Sequence, residues 1–283
     1  MTERADLRRL PAEFAARALA LAAGEFAPVV PRAAATVILA RNAEDGSGVE
    51  VYLLRRVVSM AFAAGMHVFP GGSVDDRDAE LPDTAWAGPP PAVWAGQLDA
   101  DPALARALVC AAVRDTFEES GVLLAGPTAT EMVADTRAAD WEVDRQRLLD
   151  RSLSMAELLE RRRLVLRSDL LRTWAHWITP EAEPRRYDTR FFVAALPSGQ
   201  RTREVGGEAD RVTWATPGDV LRAHSGGEVG LLPPTAVTLE ELRSYPDVAT
   251  VLAAAANRNL RPRLPRIVVQ NGEPRIVLDE PGS

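Results

Sequence analysis

Residues 101–122 read DPALARALVCAAVRDTFEESGV, and the rest of the chain is organised around this stretch. Asp101 suits a helix N-cap, Pro102 the first helical position, and Gly121 the left-handed residue that closes a helix. A helix of about five turns fits between these signals at 3.6 residues per turn. Leu104, Ala107, Leu108, Ala111 and Ala112 recur at helical spacing and supply an apolar face. The last turns carry Arg114, Asp115, Glu118 and Glu119. Offsets of three and four place Asp115 beside both glutamates and Arg114 beside Glu118. A cation is the natural way to hold such neighbouring carboxylates together.

The remaining composition narrows the class of protein. A chain of 283 residues, 47% hydrophobic and 26% charged, has the make-up of a globular protein able to bury a core. All 33 basic residues are arginine, and the formal charge is −7. That balance argues against a general electrostatic grip on nucleic acid but leaves room for an anionic small molecule met by local arginines or a metal. Cys110 is the single cysteine and falls on the apolar side of the helix, so an intrachain disulfide is excluded and a reducing cytoplasm is expected. No apolar run approaches the roughly 18 residues of a membrane span. The N-terminal arginines alternate with Glu3, Asp6, Glu13 and Glu25, a pattern of a structural helix rather than a transit peptide.

Outward from the central helix, Leu10 to Leu21 predicts a packing helix ended by Pro28 and Pro31. Ala33 to Ala40 and Val49 to Arg55 predict a strand hairpin about the polar turn Asn42 to Gly48. Gly65 to Phe69 reads as a short strand ending in a Pro70-Gly71-Gly72 turn, where backbone could approach a ligand closely. Ser73 to Ala100, rich in Asp, Pro and Gly, reads as an irregular excursion. Beyond the helix, Val122 to Leu124 predicts a strand and Thr128 to Arg163 a helical insertion. Trp174 to Ile178, Arg190 to Leu196 and Arg211 to Ala215 predict strands, and Pro217 to His224 a short helix. Leu239 to Asn257 is helical with a break near Pro246, and Asn271-Gly272 marks a tail hairpin. The mixture predicts one α/β sandwich over residues 1–283, with a helical extension (1–31), insertions at 73–100 and 126–172, and a hairpin tail (262–283).

Taken alone, the acidic helix end also reads as a solvated face with one weak Arg–Glu pair. Hard divalent cations, however, take oxygen ligands, and Mg2+ bound through a few carboxylates completes its shell with water and phosphates. Together, Phe69-Pro70-Gly71-Gly72 and Arg114-Asp115-Thr116-Phe117-Glu118-Glu119-Ser120-Gly121-Val122 resemble the Nudix hydrolase signature. That signature runs from a glycine to a glutamate six residues later, then to Arg-Glu-aliphatic-any-Glu-Glu-any-Gly-aliphatic. The chain departs from it in three ways: the segment between Gly72 and Arg114 is longer, the first glutamate is missing with Asp78 the acid available for it, and Asp115 replaces a Glu.

Leu53 to Gly72, LLRRVVSMAFAAGMHVFPGG, is similar to the coenzyme A diphosphatase branch of that family, which includes members with an interrupted signature. Arg56, Gly65 and Phe69 to Gly72 fall where that branch has Arg, Gly and Phe-Pro-Gly-Gly, whereas Ala61 stands where it has an Arg. Pro184 to Phe192 and Leu231 to Thr235 also resemble that branch. The resemblance implies a Nudix-type α/β/α sandwich with a mixed sheet, and metal-assisted attack of water on a diphosphate. It implies Glu118, Glu119, Asp115 and the Gly71 carbonyl as ligands of Mg2+ or Mn2+, and a further acid beyond the signature, for which Glu208 is the candidate. Arg56 and Arg190 are the candidate phosphate-binding residues. Coenzyme A or an acyl derivative is the first substrate expected, with ADP-ribose, dinucleotides and nucleotide sugars as alternatives. The competing class is a Nudix-fold nucleotide-binding or regulatory module that has lost turnover, favoured by Asp115 and the missing Glu. The N-terminal helix and tail hairpin offer elements for a homodimer.

Overall fold

The computed structural model describes residues 12–57, 63–203, 209–256, 258, 260–270 and 273–277. It opens with helix α1 (Ala12–Ala22), then β1 (Arg32–Asn42) and β2 (Val49–Arg56), where the N-terminal helix and first hairpin are expected. Asn42 pairs with Val49 and Ala40 with Val51, so the polar turn sets the register of this hairpin. The next two strands are short, β3 (Met66–Val68) and β4 (Gly71–Ser73). β3 pairs with β2 and β4 with β1, Gly71 lying opposite Thr36 and Gly72 opposite Ala35.

The two glycines expected in a turn therefore lie in a strand. A Cβ on Gly71 would come within 2.4 Å of the Ala35 carbonyl oxygen, and one on Gly72 within 3.1 Å of the Asp115 carboxylate. Close approach rather than a left-handed backbone is the reason for glycine here.

The expected irregular stretch is more ordered than its composition suggests. It contains two 3₁₀ turns (Asp76–Glu80 and Asp83–Ala85), β5 (Trp86–Ala87) and helix α2 (Pro91–Leu98). Pro91 starts that helix and Trp94 and Leu98 bury it, so two apolar anchors one turn apart suffice to fix eight residues. Helix α3 (Pro102–Ser120) follows with both predicted ends in place. Asp101 accepts a hydrogen bond from the Leu104 amide at 2.9 Å, and Gly121 closes the helix at φ +73°. Ala105, Leu108, Val109, Cys110, Ala112 and Val113 are all fully enclosed.

After α3 the strand lies at β6 (Ala125–Gly126) rather than at 122–124. The predicted helical insertion resolves into α4 (Ala139–Leu149) and α5 (Met155–Arg162), with no helix over 127–138. Phe117 meets Trp141 edge to face at 6.0 Å, which packs α4 against the end of α3. Then come β7 (Val165–Arg167), β8 (Arg172–Ile178), β9 (Tyr187–Ala195), β10 (Ala209–Ala215), α6 (Pro217–Ser225) and β11 (Gly230–Leu231). Helices α7 (Pro233–Leu242) and α8 (Val248–Ala255) precede a hairpin of β12 (Arg266–Gln270) and β13 (Glu273–Val277). Its Asn271-Gly272 turn lies outside the described residues.

The main sheet runs β11-β3-β2-β1-β9-β8, with β10 added along β2 and β4 along β1. β11 is parallel to β3 while β1–β2, β2–β3 and β2–β10 are antiparallel, so the sheet is mixed and the fold class is α/β, as expected. A smaller sheet, β5-β7-β6, carries the insertions. The chain divides into two units, one of residues 34–175 and 190–260 and one of residues 1–33, 176–189 and 261–283. In the second unit, Arg186 donates to the Val29 carbonyl and Arg17 to the Ala182 carbonyl. The first unit holds α3 and the glycine strand. Among the described residues no helix is long and apolar enough to cross a membrane.

Candidate active site

The acidic end of α3 lies under β4. Arg114 is the hub: its guanidinium reaches Asp115 at 2.6 Å, Glu118 at 3.3 Å and both Asp78 oxygens at 3.0 Å, and donates to the Ser73 carbonyl. Asp78 is only 2% exposed and sits six residues after Gly72, the spacing of the glutamate that the signature places there. The sequence offers Asp78 as the acid for that position, and the fold brings it to Arg114. Its signal was the spacing, hidden by the 36 residues that separate it from Arg114. A fork-to-fork pair with an arginine fixes orientation as well as charge.

Asp115 is 5% exposed. One oxygen receives Arg114, while Oδ2 is buried and has no hydrogen-bond partner among the described residues. Burial pushes its carboxyl well above the usual range, Arg114 works in the opposite direction, and Glu118 and Glu119 push it up further. Burial works against the charge of Arg114 too, yet Asp115, Asp78 and Glu118 together hold it protonated. Glu118 is buried, and Glu119 Oε2 accepts the Gly71 amide N–H at 2.9 Å. Gly71 thus ties β4 to the helix through its amide, whereas its carbonyl was the group singled out from sequence. Cys110 is buried, as expected from its place on the apolar face, and burial raises its thiol pKa.

The donor set is the hard-oxygen type a divalent cation takes, and the buried Asp115 oxygen beneath Gly72, without a hydrogen-bond partner among the described residues, fits such an ion. Among the described residues, no three His, Cys, Asp or Glu side chains draw together tightly enough to form a metal cage. Arg114 holds Asp115 and Glu118, and the Gly71 amide holds Glu119.

Arg56 ends β2 half-buried, opposite Ala209 of β10. Arg190 is 4% exposed in β9, and its Nε donates to the Leu98 carbonyl at the end of α2. Glu208 lies outside the described residues. Trp174 and Trp177 are buried, and Arg258 and Tyr245 both pack on the Trp174 ring.

The C-terminal end of α3 is also held from outside, by groups that sequence reasoning did not single out. Arg145 of α4 donates to the Glu118 carbonyl at 2.6 Å, Tyr52 to the Glu119 carbonyl at 3.3 Å, and the Arg203 amide to the Ser120 carbonyl at 3.0 Å. Glu142 receives both Arg145 and Arg203. Its carboxyl is pulled down to about 2, chiefly by the Arg145 hydrogen bond. A value depressed from 4.5 means that its stabilising contribution is complete above about pH 4.5 and is lost as the pH falls towards 2. Urea unfolding should therefore show a loss of stability over that range that is smaller in Glu142→Gln. Parallel pH profiles for the two proteins would contradict the assignment.

A mixed-sheet α/β fold with an arginine-bound acidic helix end beneath a two-glycine strand is the architecture of a Nudix hydrolase. The family model for the NUDT19 Nudix domain matches residues 96–242, and the chain belongs to that family. It is 26% identical over 277 residues to the acyl-coenzyme A diphosphatase NUDT19 of Gallus gallus, covering 81% of this chain and 72% of that protein. The corresponding Xenopus laevis protein is 26% identical over 253 residues, covering 76% and 65%. The crystal structure of a NUDIX hydrolase from Alicyclobacillus acidocaldarius shares 29% identity over 80% of this chain and 96% of that one, with a TM-score of 0.68. The chain is a Nudix diphosphohydrolase.

Proposed function

We propose that the chain splits the diphosphate of coenzyme A or an acyl-coenzyme A, using Mg2+ or Mn2+ held at the acidic end of α3. The observation that carries the metal reading is the buried, unpartnered Asp115 Oδ2 beneath Gly72, on the same helix end as Glu118 and Glu119. The substrate reading is supported by the acyl-coenzyme A diphosphatases of chicken and frog that the chain resembles.

Neutralisation of phosphate charge and a lowered pKa of bound water are the chemistry that Mg2+ or Mn2+ supplies when bound. Glu118 and Glu119 are the principal ligands in this reading, with Asp115 and the Gly71 carbonyl completing the protein's share. Arg114 orients the carboxylates of Asp115 and Glu118. Asp115 binds the metal or orients the attacking water, and Glu208 is the candidate for a proton-accepting acid beyond the helix. Arg56 and Arg190 are assigned to the substrate phosphates. One water adds across the P–O–P link, the bridging oxygen leaves with one phosphoryl group, and two phosphate monoesters result.

The test is incubation with coenzyme A and Mg2+ or Mn2+, beside ADP-ribose, a dinucleotide and a nucleotide sugar, with products weighed by mass spectrometry. An adenosine bisphosphate and a phosphopantetheine from coenzyme A are expected. Faster cleavage of any other panel member would move the substrate assignment, and no metal-dependent cleavage of any would remove it.

Residues 1–283 are taken as one Nudix domain with extensions, acting on a small molecule rather than on nucleic acid. The free, buried Cys110 favours a reducing compartment such as the cytoplasm. The tail hairpin is the proposed homodimer element, and an unchanged mass by light scattering after truncation at Leu264 would count against it.

A further inference from the structure

An α-helix ends with four carbonyls that lack an intrahelical partner and are met by side chains, by water or by the chain that follows. In α3 each of the four is taken by the protein. The Phe117 carbonyl accepts the Gly121 amide at 2.9 Å, and the Glu118, Glu119 and Ser120 carbonyls accept Arg145, Tyr52 and the Arg203 amide. The next carbonyl, of Gly121, accepts the Thr136 hydroxyl. These partners come from β2, from the loop before α4, from α4 itself and from the loop after β9.

Two of them are arginines sharing one carboxylate. Glu142 Oε1 and Oε2 take Arg145 Nη2 at 2.6 Å and Nε at 2.9 Å, while Oε2 also takes Arg203 Nη1. Arg203 donates in addition to the Thr136 carbonyl, and its side chain crosses Gly121 so closely that a Cβ there would lie 2.7 Å from Arg203 Cγ. Arg145 is 2% exposed. Burying a guanidinium is costly unless its geometry is fully satisfied, and a glycine cap alone would have ended the helix. Positive charge at a helix C-terminus is favourable, but that effect needs only proximity, not a shared carboxylate and directed donors.

We propose that Arg145, Glu142 and Arg203 are positioning residues that fix the rotation of the last turn of α3 and so aim Glu118 and Glu119 at the site. The helical insertion then belongs to the catalytic apparatus. It grips the backbone of Glu118 from behind while Arg114 and the Gly71 amide hold the acidic side chains from the front. This inference rests on the metal reading above for its consequence in catalysis, but not for the clasp itself.

The test uses the full chain carrying Arg145→Met, Arg145→Lys or Glu142→Gln. Three quantities are read: Mn2+ affinity by the EPR signal of the free ion, amide hydrogen exchange over residues 117–123, and kcat and KM for whichever diphosphate the wild type cleaves. Arg145→Met and Glu142→Gln are expected to weaken Mn2+ binding and lower kcat about 10-fold, the usual effect of losing a group that orients a ligand. KM should change less than kcat, exchange over 117–123 should quicken, and Arg145→Lys should recover part of each loss. Should Arg145→Met not fold, Glu142→Gln carries the same reading, because its carboxylate is part-exposed and the substitution is isosteric. Folded variants with wild-type exchange and wild-type Mn2+ affinity would overturn the proposal. A wild type that binds no Mn2+ would instead overturn the metal reading, and exchange alone would then decide whether the clasp sets the helix end.

Discussion

Glu119→Gln is expected to lower metal-dependent kcat by about 10³-fold, since an interaction worth several kcal/mol to the transition state is lost at 1.36 kcal/mol per factor of ten. Glutamine keeps an oxygen to accept the Gly71 amide, the contact that Glu119 makes at 2.9 Å, so β4 should stay in place and Tm should hardly move. The separation of effects is the point of the experiment. A structural role for Glu119 would show in the melting curve first, whereas a ligand role shows in turnover and in the metal concentration needed for half-activation. Full turnover in Glu119→Gln would remove Glu119 from the ligand set.

Arg114→Met should be the most damaging single change to stability in this region. It leaves the carboxylates of Asp78, Asp115 and Glu118, all buried, without their shared cation. Breaking a buried pair from one side costs about 3–5 kcal/mol, because the stranded charge has nowhere to go. A fall in Tm of about 10 °C would follow. Asp115 can relieve part of this by taking up a proton, since burial already pushes its carboxyl upward. Added Mn2+ should restore more stability to this variant than to the wild type if the same carboxylates bind the ion. A loss below about 1 kcal/mol by urea unfolding would mean that the hub is a surface feature, with the energetics of an exposed pair.

The parts of this fold that were legible in the sequence are those with a local cause. Asp101, Pro102 and Gly121 fix the ends of α3 through their own backbone preferences, and the structure shows the same cap and the same left-handed closure. Pro217 did the same for the start of α6. The polar turn between Asn42 and Val49 set the register of the first hairpin.

What was not legible depends on partners far away in the chain. Gly71 and Gly72 carry the local signature of a turn, and only the pairing with Thr36 and Ala35 makes them a strand. Pro91 to Leu98 is too short to display helical periodicity, and its helix is held by tertiary burial of Trp94 and Leu98. β11 is two residues long and exists through its parallel pairing with Met66 and His67.

The site divides in the same way. Arg114 beside Glu118 follows from helical spacing, and the salt bridge is there at 3.3 Å. Asp78 is brought to Arg114 only after the chain has passed through two 3₁₀ turns, a short strand and α2, so its spacing from Gly72 was a weak hint without the fold. Arg145, Glu142 and Arg203 had no signature at all. They meet because α4 packs Trp141 on Phe117, a contact between residues that simple periodicity assigns to separate helices.

The most direct measurement is the anomalous scattering of crystals soaked with Mn2+ and a non-hydrolysable diphosphate. The account predicts the strongest peak about 2.0–2.3 Å from carboxylate oxygens of Glu118 and Glu119, with Asp115 beside it and phosphate oxygens completing the shell. A peak elsewhere, or none while Arg114 still holds Asp115 and Glu118, would contradict it.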